Sequence, residues 1–546
     1  MTEDRTGFQR NQLIILGAGV MQGPAITLAG EMGLETVVVD GDPQAPWASG
    51  ADRFEHIDLK DKEGIEELAR SLQKGGRLGG VMTAGTDFSA TVAWVAERLG
   101  LPGIPYEAAL NASDKERMRL CFHAGGIPAP RFVILRNPPG RDFSLPFSYP
   151  AVVKPVDNMG GRGCRRIDSP ADLEAAVPGA LRFSRSGRVI VEEYLDGPEF
   201  SVDALVFRGE IVICGLADRH IFFPPYFIEM GHTMPAALDA GSAEDLLEAF
   251  KAGVRSLGLA GKDSFGAAKG DLKLTSRGPR IGEIAARLSG GYMSGWTYPY
   301  ASGVEVTRGA ILAALGRIPQ NLTPTRSWTS AERAFISIPG KVRSLLGIEE
   351  VRAMAHVKDI FIRVSSGSRV TFPENNVAKC GNVITAAVSR ETAVTAADSA
   401  VRAIRICLEA PDVETDAFLG ASPKDGFPPD AFSLTPALTA LLAALPESVL
   451  PPALPSGCGG PFLVPFPAFA ESGLRDYQGR TIEESLEAVR GLTGFTLTPG
   501  AAAGTLLLGR AFWAALVRGG YQGAAYYVDR HFQAGLQAEL QKDVKA

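Results

Sequence analysis

Residues 150–166 read PAVVKPVDNMGGRGCRR, an apolar run that delivers Lys154 to a loop holding Asn158, Gly160, Gly161, Arg162 and Gly163. Glycine lets backbone approach an anion closely, so that N–H groups can line up on phosphate oxygens, and the lysine adds a point charge. The loop lacks the G-x-x-x-x-G-K-[ST] spacing of a Walker A loop, because here the lysine precedes the glycines. Read alone, it is equally a glycine-rich hairpin turn.

Asp271 and Glu283 are the second candidate constellation. GDLKLTSRGPRIGE reads as a β-hairpin, and a turn centred on Arg277 sets the two carboxylates opposite each other. Opposed residues have Cβ atoms ~5 Å apart, and like charges there repel. A divalent cation with phosphate and water completing its shell removes the penalty and suits oxygen ligands. Solvated carboxylates on a surface hairpin are the alternative. Arg287 follows on the same face if the strand runs that far, and its guanidinium suits a bidentate grip on phosphate or carboxylate.

VIVEEYLDGPEFSVDAL, residues 189–205, carries Glu192, Tyr194 and Leu195 before a Gly-Pro turn and Glu199 after it. Such a segment can hinge two lobes, pair its backbone with an adenine edge and offer carboxylates to ribose; a charged edge strand is the plain alternative. Lys115, in ASDKERMR, reads alone as a surface lysine at a helix start. GAGVMQG with Asp40 after the next apolar run suggests a dinucleotide site, but G-x-G-x-x-x-G departs from the G-x-G-x-x-G of the pyrophosphate turn.

The elements that must position these residues are of mixed type. The 546 residues are too many for one core and predict about three or four domains. With 45% hydrophobic and 21% charged residues the composition is that of a globular protein, and a net charge of −6 argues against coating nucleic acid. Six scattered cysteines form no CxxC pair, and six histidines give no HExxH. The N-terminus is polar rather than a signal sequence, and the apolar stretch GAAAGTLLLGRAFWAALV is broken by Arg510 and short for a bilayer. A cytoplasmic protein without membrane or nucleic-acid partners is expected.

Residues 12–40 alternate strand, turn, helix and strand, and GGVMTAGTDFSATVAWVAERLG adds a further unit, so the start predicts a doubly wound sheet. A helix is expected from about NASDKERMR, capped by Ser113 or Asp114 and stopped at Gly125-Gly126. Strands dominate from about 130 to 310. Residues 330–411 read as α+β, with FISIPG, KDIFIRV and NVITAAVS as strands and ETAVTAADSAVRAIRICLEA as a closing helix. Residues 412–546 carry no readable motif, and their aromatic end reads as a packing helix before a dimer surface or a lid over the substrate.

DKERMR, VVKP with its glycine loop, VEEYLDGPEFSVD and the acidic hairpin ending GEIAARLSGG occur in an order that resembles the ATP-grasp superfamily, over roughly residues 12–411. TAGTDFSATVAWVAERLGLPG is similar to its counterpart in carboxylate–amine ligases. The resemblance, of biotin carboxylase and L-amino-acid ligase type, implies an α/β and α+β multidomain fold. Its parts would be a Rossmann-like domain over 1–112, an ATP-grasp domain over 113–320 (glycine-loop lobe about 130–205), a small α+β domain over 321–411 and a C-terminal extension over 412–546.

The resemblance also implies roles. Lys115 and Lys154 would bind ATP phosphates under the loop Asn158–Gly163; Glu192 with the backbone near Tyr194 and Leu195 would take adenine, and Glu199 the ribose. Asp271 and Glu283 would hold Mg²⁺, or Mn²⁺ in its stead, and Arg287 would steady the transferring phosphoryl group. Apart from the resemblance, FPPYFIEMGHTMPA reads as a border of the second substrate, with Glu229 holding a cationic amine and His232 either accepting its proton or serving as a plain turn histidine, and Tyr292 lining the same cavity. The family pattern E-x-N-x-R reads Glu283-Ile284-Ala285-Ala286-Arg287 here, and alanine cannot ligate.

The implied reaction activates a small carboxylate as an acyl phosphate and joins it to an amine. The alternatives are bicarbonate-dependent carboxylation, a non-catalytic nucleotide sensor and an NAD oxidoreductase. The family likeness favours a homodimer.

Overall fold

The computed structural model describes residues 12–140, 143–423, 426–448, 462–470, 473–495, 497–499 and 507–543. Two compact units emerge: Met1–Glu332 with Ile384–Val394, and Arg333–Val383 with Thr395–Ala546.

The first unit opens with a parallel four-stranded sheet, ordered Arg53–His56, Glu35–Asp40, Gln12–Leu16, Leu78–Thr83. Gln12–Leu16 is buried throughout, as a central parallel strand with helices on both faces must be. The edge strand RFEH escaped the sequence reading because it has no apolar run. The glycine turn has no free amides for a pyrophosphate at two key places. Ala18 N–H donates to Asp40 Oδ2 at 2.7 Å and Gly19 N–H to Gln22 Oε1 at 2.9 Å. The Trp47 ring also lies so close to Gly23 that an added Cβ would sit 2.4 Å from it. The turn is closed by its own side chains, which removes the support for a dinucleotide there.

The helix expected around Lys115 runs Lys115–Ala124, capped by Asp114 and stopped at Gly125, and a separate helix that the sequence did not suggest, Tyr106–Ser113, precedes it across extended Asp114. The Asp114 carboxylate accepts from Glu116 and Arg117 N–H, starting the second helix with Lys115 as its first residue.

An antiparallel sheet follows, ordered Phe132–Leu135, Val189–Glu193, Ala151–Pro155, Arg165–Ile167, with helix Pro170–Phe183 packed on it through Val153, Ile167, Leu173, Val177 and Val191. The glycine loop therefore joins two paired strands. A larger antiparallel sheet runs Gly278–Ala285, Phe265–Thr275, Glu199–Phe207, Glu210–Phe222, Ile228–Met234, with Thr329–Phe335 next in order.

In the second unit, strands Arg369–Val370, Gly340–Leu346 and Arg405–Leu408 form a small sheet. FISIPG is not one strand, since Thr329–Phe335 ends at its first residue and Gly340–Leu346 begins at its last. The closing helix, Arg390–Ala403, also ends earlier than expected, because Arg480 donates to the Arg402 carbonyl at 2.6 Å and the chain re-emerges as strand Arg405–Leu408. Past 412, helices Pro436–Ala444 and Ile482–Thr493 and the helical stretch Arg510–Asp543, kinked at Gly520, enclose a core containing Phe432, Leu486, Phe512, Trp513 and Leu516, while helix Val413–Gly420 packs its Phe418 with Phe335 and Ile406 in a neighbouring core. The aromatic end packs, as its composition predicted. No helix among the described residues is long and apolar enough to cross a membrane.

Candidate active site

Every candidate residue from the sequence lies in the first unit. Asp271 and Glu283 do face each other across the hairpin, but not by the expected route. The turn is a two-residue loop closed by Thr275 opposite Gly278, which alone would set Asp271 against Gly282. A bulge between Asp271 and Leu272 shifts the register by one and restores the Asp271–Glu283 pair. Gly282 makes the bulge possible, since a Cβ there would lie 3.1 Å from the Asp271 carbonyl oxygen.

The two carboxylates differ in their partners. Asp271 accepts from Ser201 Oγ at 2.7 Å and from Lys269 Nζ, and Arg219 Nη1 lies 3.1 Å away. Glu283 has Lys115 Nζ at 3.7 Å and accepts no hydrogen bond from the described residues. Burial pushes Asp271 up, but Arg219 and Lys269 outweigh it and hold the carboxyl below its usual range. For Glu283 burial is likewise outweighed, by Lys115, Lys269 and Lys154. Both are therefore ionised at neutral pH. Lys115 is buried, yet Glu283 and Asp87 more than offset desolvation and raise it.

Lys115 also ties the site to the glycine loop, donating from Nζ to the Asn158 carbonyl at 2.8 Å. Gly160, Gly161 and Gly163 have φ of 70°, 75° and 67°, where L side chains are strained. The Asn158 amide donates to the Phe183 carbonyl at 2.7 Å, and Arg162 reaches back to the Met159 carbonyl at 3.4 Å.

Glu192 is turned inward. Its Oε2 is 2.6 Å from Lys154 Nζ and its Oε1 is 2.8 Å from Arg119 Nε, with Glu192 3% and Arg119 1% exposed. Arg119 Nη2 donates in turn to the Gly282 carbonyl at 2.5 Å, joining the glycine-loop sheet to the acidic bulge. Tyr194 is clasped between the Arg166 guanidinium, 4.8 Å from its ring centroid, and Phe227, stacked at 6.5 Å. The Leu195 carbonyl accepts from Lys273 at 3.1 Å, and Glu199 pairs with Arg219.

Arg219 is the hub that the sequence reading missed. Besides Glu199 and Asp271 it meets Glu229 Oε2 at 2.6 Å. Glu229 lies 3.5 Å from His232 Nε2, and His232 Nδ1 lies 2.9 Å from Glu332 Oε2. Burial pushes His232 down, but Glu229 and Glu332 outweigh it and raise it to about 9. His232 is thus an imidazolium at neutral pH. A ring so protonated has no lone pair free for the amine's proton, which bears against the acceptor role expected of His232.

Arg287 lies beyond the hairpin, because strand Gly278–Ala285 stops two residues short of it. The face-sharing argument therefore does not place it. It is 8% exposed, donates from Nη1 to the Leu288 carbonyl at 3.0 Å, and meets no carboxylate among the described residues. Its Nε is buried without a hydrogen-bond partner. Nearby, wholly buried Asp203 accepts from Ser289 N–H at 3.0 Å and from its hydroxyl, and burial raises Asp203 to about 6 against those bonds. The turn so fixed brings Gly291 against Glu229 and His232, and Tyr292 follows it, buried, with its ring edge-on to Trp296.

Family profiles match along this arrangement: an ATP-grasp N-terminal domain over residues 27–103, an ATP-grasp domain over 147–293, and L-amino acid ligase C-terminal domain 2 over 334–409. The chain belongs to the ATP-grasp superfamily, on its carboxylate–amine ligase side. Carnosine synthase 1 of Gallus gallus is 28% identical over 344 residues, 56% of this chain and 35% of that protein's length. D-alanine–D-alanine ligase B of Pseudomonas putida is 27% identical over 170 residues, 29% of this chain and 52% of the relative. The crystal structure of L-amino acid ligase from Bacillus licheniformis superposes with a TM-score of 0.64 at 22% identity, covering 73% of this chain and 99% of the other, which speaks to fold.

Within this ATP-grasp chain, Ala285 closes its strand, 6% exposed, and offers no oxygen. Among the described residues no group of three or more His, Cys, Asp or Glu side chains gathers in ligating position. Of the residues missed in the sequence, Lys269 alternates with Asp271 along one strand and was findable by period-2 reading. Arg119, Arg219 and Glu332 are joined to the site only through tertiary pairing.

Proposed function

We propose that the protein is an ATP-dependent ligase that activates a small carboxylate as an acyl phosphate and joins it to an amine, releasing ADP and phosphate. The observation that supports this best is the ionised Asp271–Glu283 pair, ringed by Lys115, Lys269 and Arg219, with the buried guanidinium of Arg287, which forms no ion pair among the described residues, two residues past the end of the same strand. Phosphoryl transfer asks chiefly for positioning and charge neutralisation, which these groups supply without a nucleophile of their own.

In this reading Lys115 and Lys154 grip the phosphates, and the loop from Asn158 through Gly160, Gly161, Arg162 and Gly163 covers them and excludes water. Adenine lies against the backbone of Tyr194 and Leu195, and Glu199 takes the ribose. Glu192 acts one step back, neutralising Lys154 and Arg119. Glu283, which accepts no bond from the described residues, and Asp271, once one of its donors moves, would hold a divalent cation. Hard carboxylate oxygens suit Mg²⁺ first and Mn²⁺ as substitute, and such an ion when bound neutralises phosphate charge.

A substrate carboxylate oxygen attacks the γ-phosphorus as the bond to ADP breaks, with Arg287 steadying the phosphoryl oxygens. The amine nitrogen then attacks the acyl carbon, phosphate leaves, and the amine gives up a proton. Glu229 holds the ammonium before that step, while cationic His232 fixes Glu229 rather than taking the proton. Free amino acids are the favoured carboxylates and amines, with a homodimer as the assembly.

ADP release tested across paired amino acids, and with hydroxylamine as the amine, checks the proposal. Release requiring both partners supports it; release requiring bicarbonate instead supports carboxylation. Nucleotide binding with no turnover under any pairing supports a sensor, a reading that Ala285 favours.

A further inference from the structure

Away from that site, the second unit holds a pocket of about 340 Å³ lined by Glu350, Arg402, Arg405, Arg480, Glu484 and Glu487. Its size is within the ~300–1,000 Å³ of small-molecule sites. One wall belongs to the segment matched as L-amino acid ligase C-terminal domain 2, and the other is helix Ile482–Thr493, beyond every matched segment. The C-terminal extension therefore creates the pocket.

The charges lining it are not all spent on each other. Arg480 is committed: it donates to the Arg402 carbonyl at 2.6 Å, the Ile404 carbonyl at 3.2 Å and Gln478 Oε1 at 2.7 Å, and its guanidinium lies 4.6 Å from the Tyr521 ring centroid. Glu487 is taken by Arg490 at 2.8 Å, and Glu484 accepts from Thr481 N–H at 2.7 Å. Arg402 and Arg405 meet no carboxylate among the described residues, and Arg405 Nε is buried without a hydrogen-bond partner. Gly491 gives the Arg405 guanidinium its place, since a Cβ there would lie 2.7 Å from Nη1. Glu350 likewise has no cation of the described residues within reach.

A phosphate dianion would gain the arginines but crowd the carboxylates, and a simple cation would do the reverse. A small zwitterion satisfies both sets. We propose that this pocket binds a free α-amino acid, its carboxylate gripped by Arg405 and Arg402 and its ammonium facing Glu350. Guanidinium suits such a carboxylate because two N–H donors can engage both oxygens.

Hydrogen–deuterium exchange on the full chain, with and without a pool of the protein amino acids, tests this. The expected result is protection of peptides covering residues 398–407 and 481–491. Protection should persist in Glu283→Ala, which disables the ATP site, so failure of the ligase reading would leave this result standing. Arg405→Gln should weaken the apparent affinity by about tenfold or more. Glu350→Lys, at an exposed position, should lose the amino-acid effect and gain protection from inorganic phosphate. Absence of protection in both segments overturns the proposal, as does equal protection in Arg405→Gln, or protection of the unmodified chain by inorganic phosphate alone.

Discussion

His232 and Glu332, a hundred residues apart in sequence, meet at 2.9 Å, both almost wholly buried. With Glu229 on its other nitrogen, His232 is held protonated, raised to about 9. A histidine raised above its unfolded value contributes stability that is full below about 6.5 and lost as pH rises through about 9. Glu332→Gln removes one of the two carboxylates and should lower the His232 titration midpoint, narrowing that window. NMR titration of the His232 ring checks it; an unmoved midpoint would mean that Glu229 alone sets the charge.

Lys154→Ala and Glu283→Ala should each lower ATP turnover by about a hundredfold or more, the scale for losing one group that stabilises transferring charge. Circular dichroism must first show each variant folded. Unchanged turnover in both would remove the phosphate and cation assignments together.

Glu192→Ala leaves Arg119, 1% exposed, without its carboxylate. Stripping one partner from a buried pair costs about 3–5 kcal/mol, so the first unfolding transition in urea should move to markedly lower concentration. A variant as stable as the parent would show that Glu192 serves nucleotide contact more than structure.

Gly291→Ala tests the amine side. Gly291 has φ of 61°, and an added Cβ would lie 2.9 Å from Glu229 Oε1 and 3.0 Å from His232 Cε1. The kcat for ligation should fall about tenfold or more, because small displacements of positioned groups cost rate steeply. Affinity for ATP should hold. Loss of ATP binding with intact chemistry would place Glu229 and His232 elsewhere in the reaction.

Local pattern made much of this legible. Continuous apolar runs marked the buried parallel strands, and alternation marked the acidic hairpin. The order of the lysine, glycine-loop and acidic segments carried the superfamily. The bulge at Gly282 was not legible, because register depends on how one extra residue is absorbed, and the turn alone suggested another centre. Nor was the inward turn of Glu192, whose partner Arg119 sits on a distant helix. Arg219 and Glu332 were invisible for the same reason: a strand residue's charge partners come from neighbouring strands, which sequence order does not reveal. Helix Arg390–Ala403 looked longer than it is because the residue that donates to its last carbonyls, Arg480, comes from the C-terminal extension.

The most direct test follows oxygen. For any amino-acid pair that supports ADP release, the carboxylate substrate is labelled with ¹⁸O and the released phosphate is weighed by mass spectrometry. One ¹⁸O should be carried into phosphate at each turnover, because the attacking carboxylate oxygen leaves on phosphorus when the amine displaces it. Unlabelled phosphate with amide still formed would contradict the acyl phosphate and the mechanism with it.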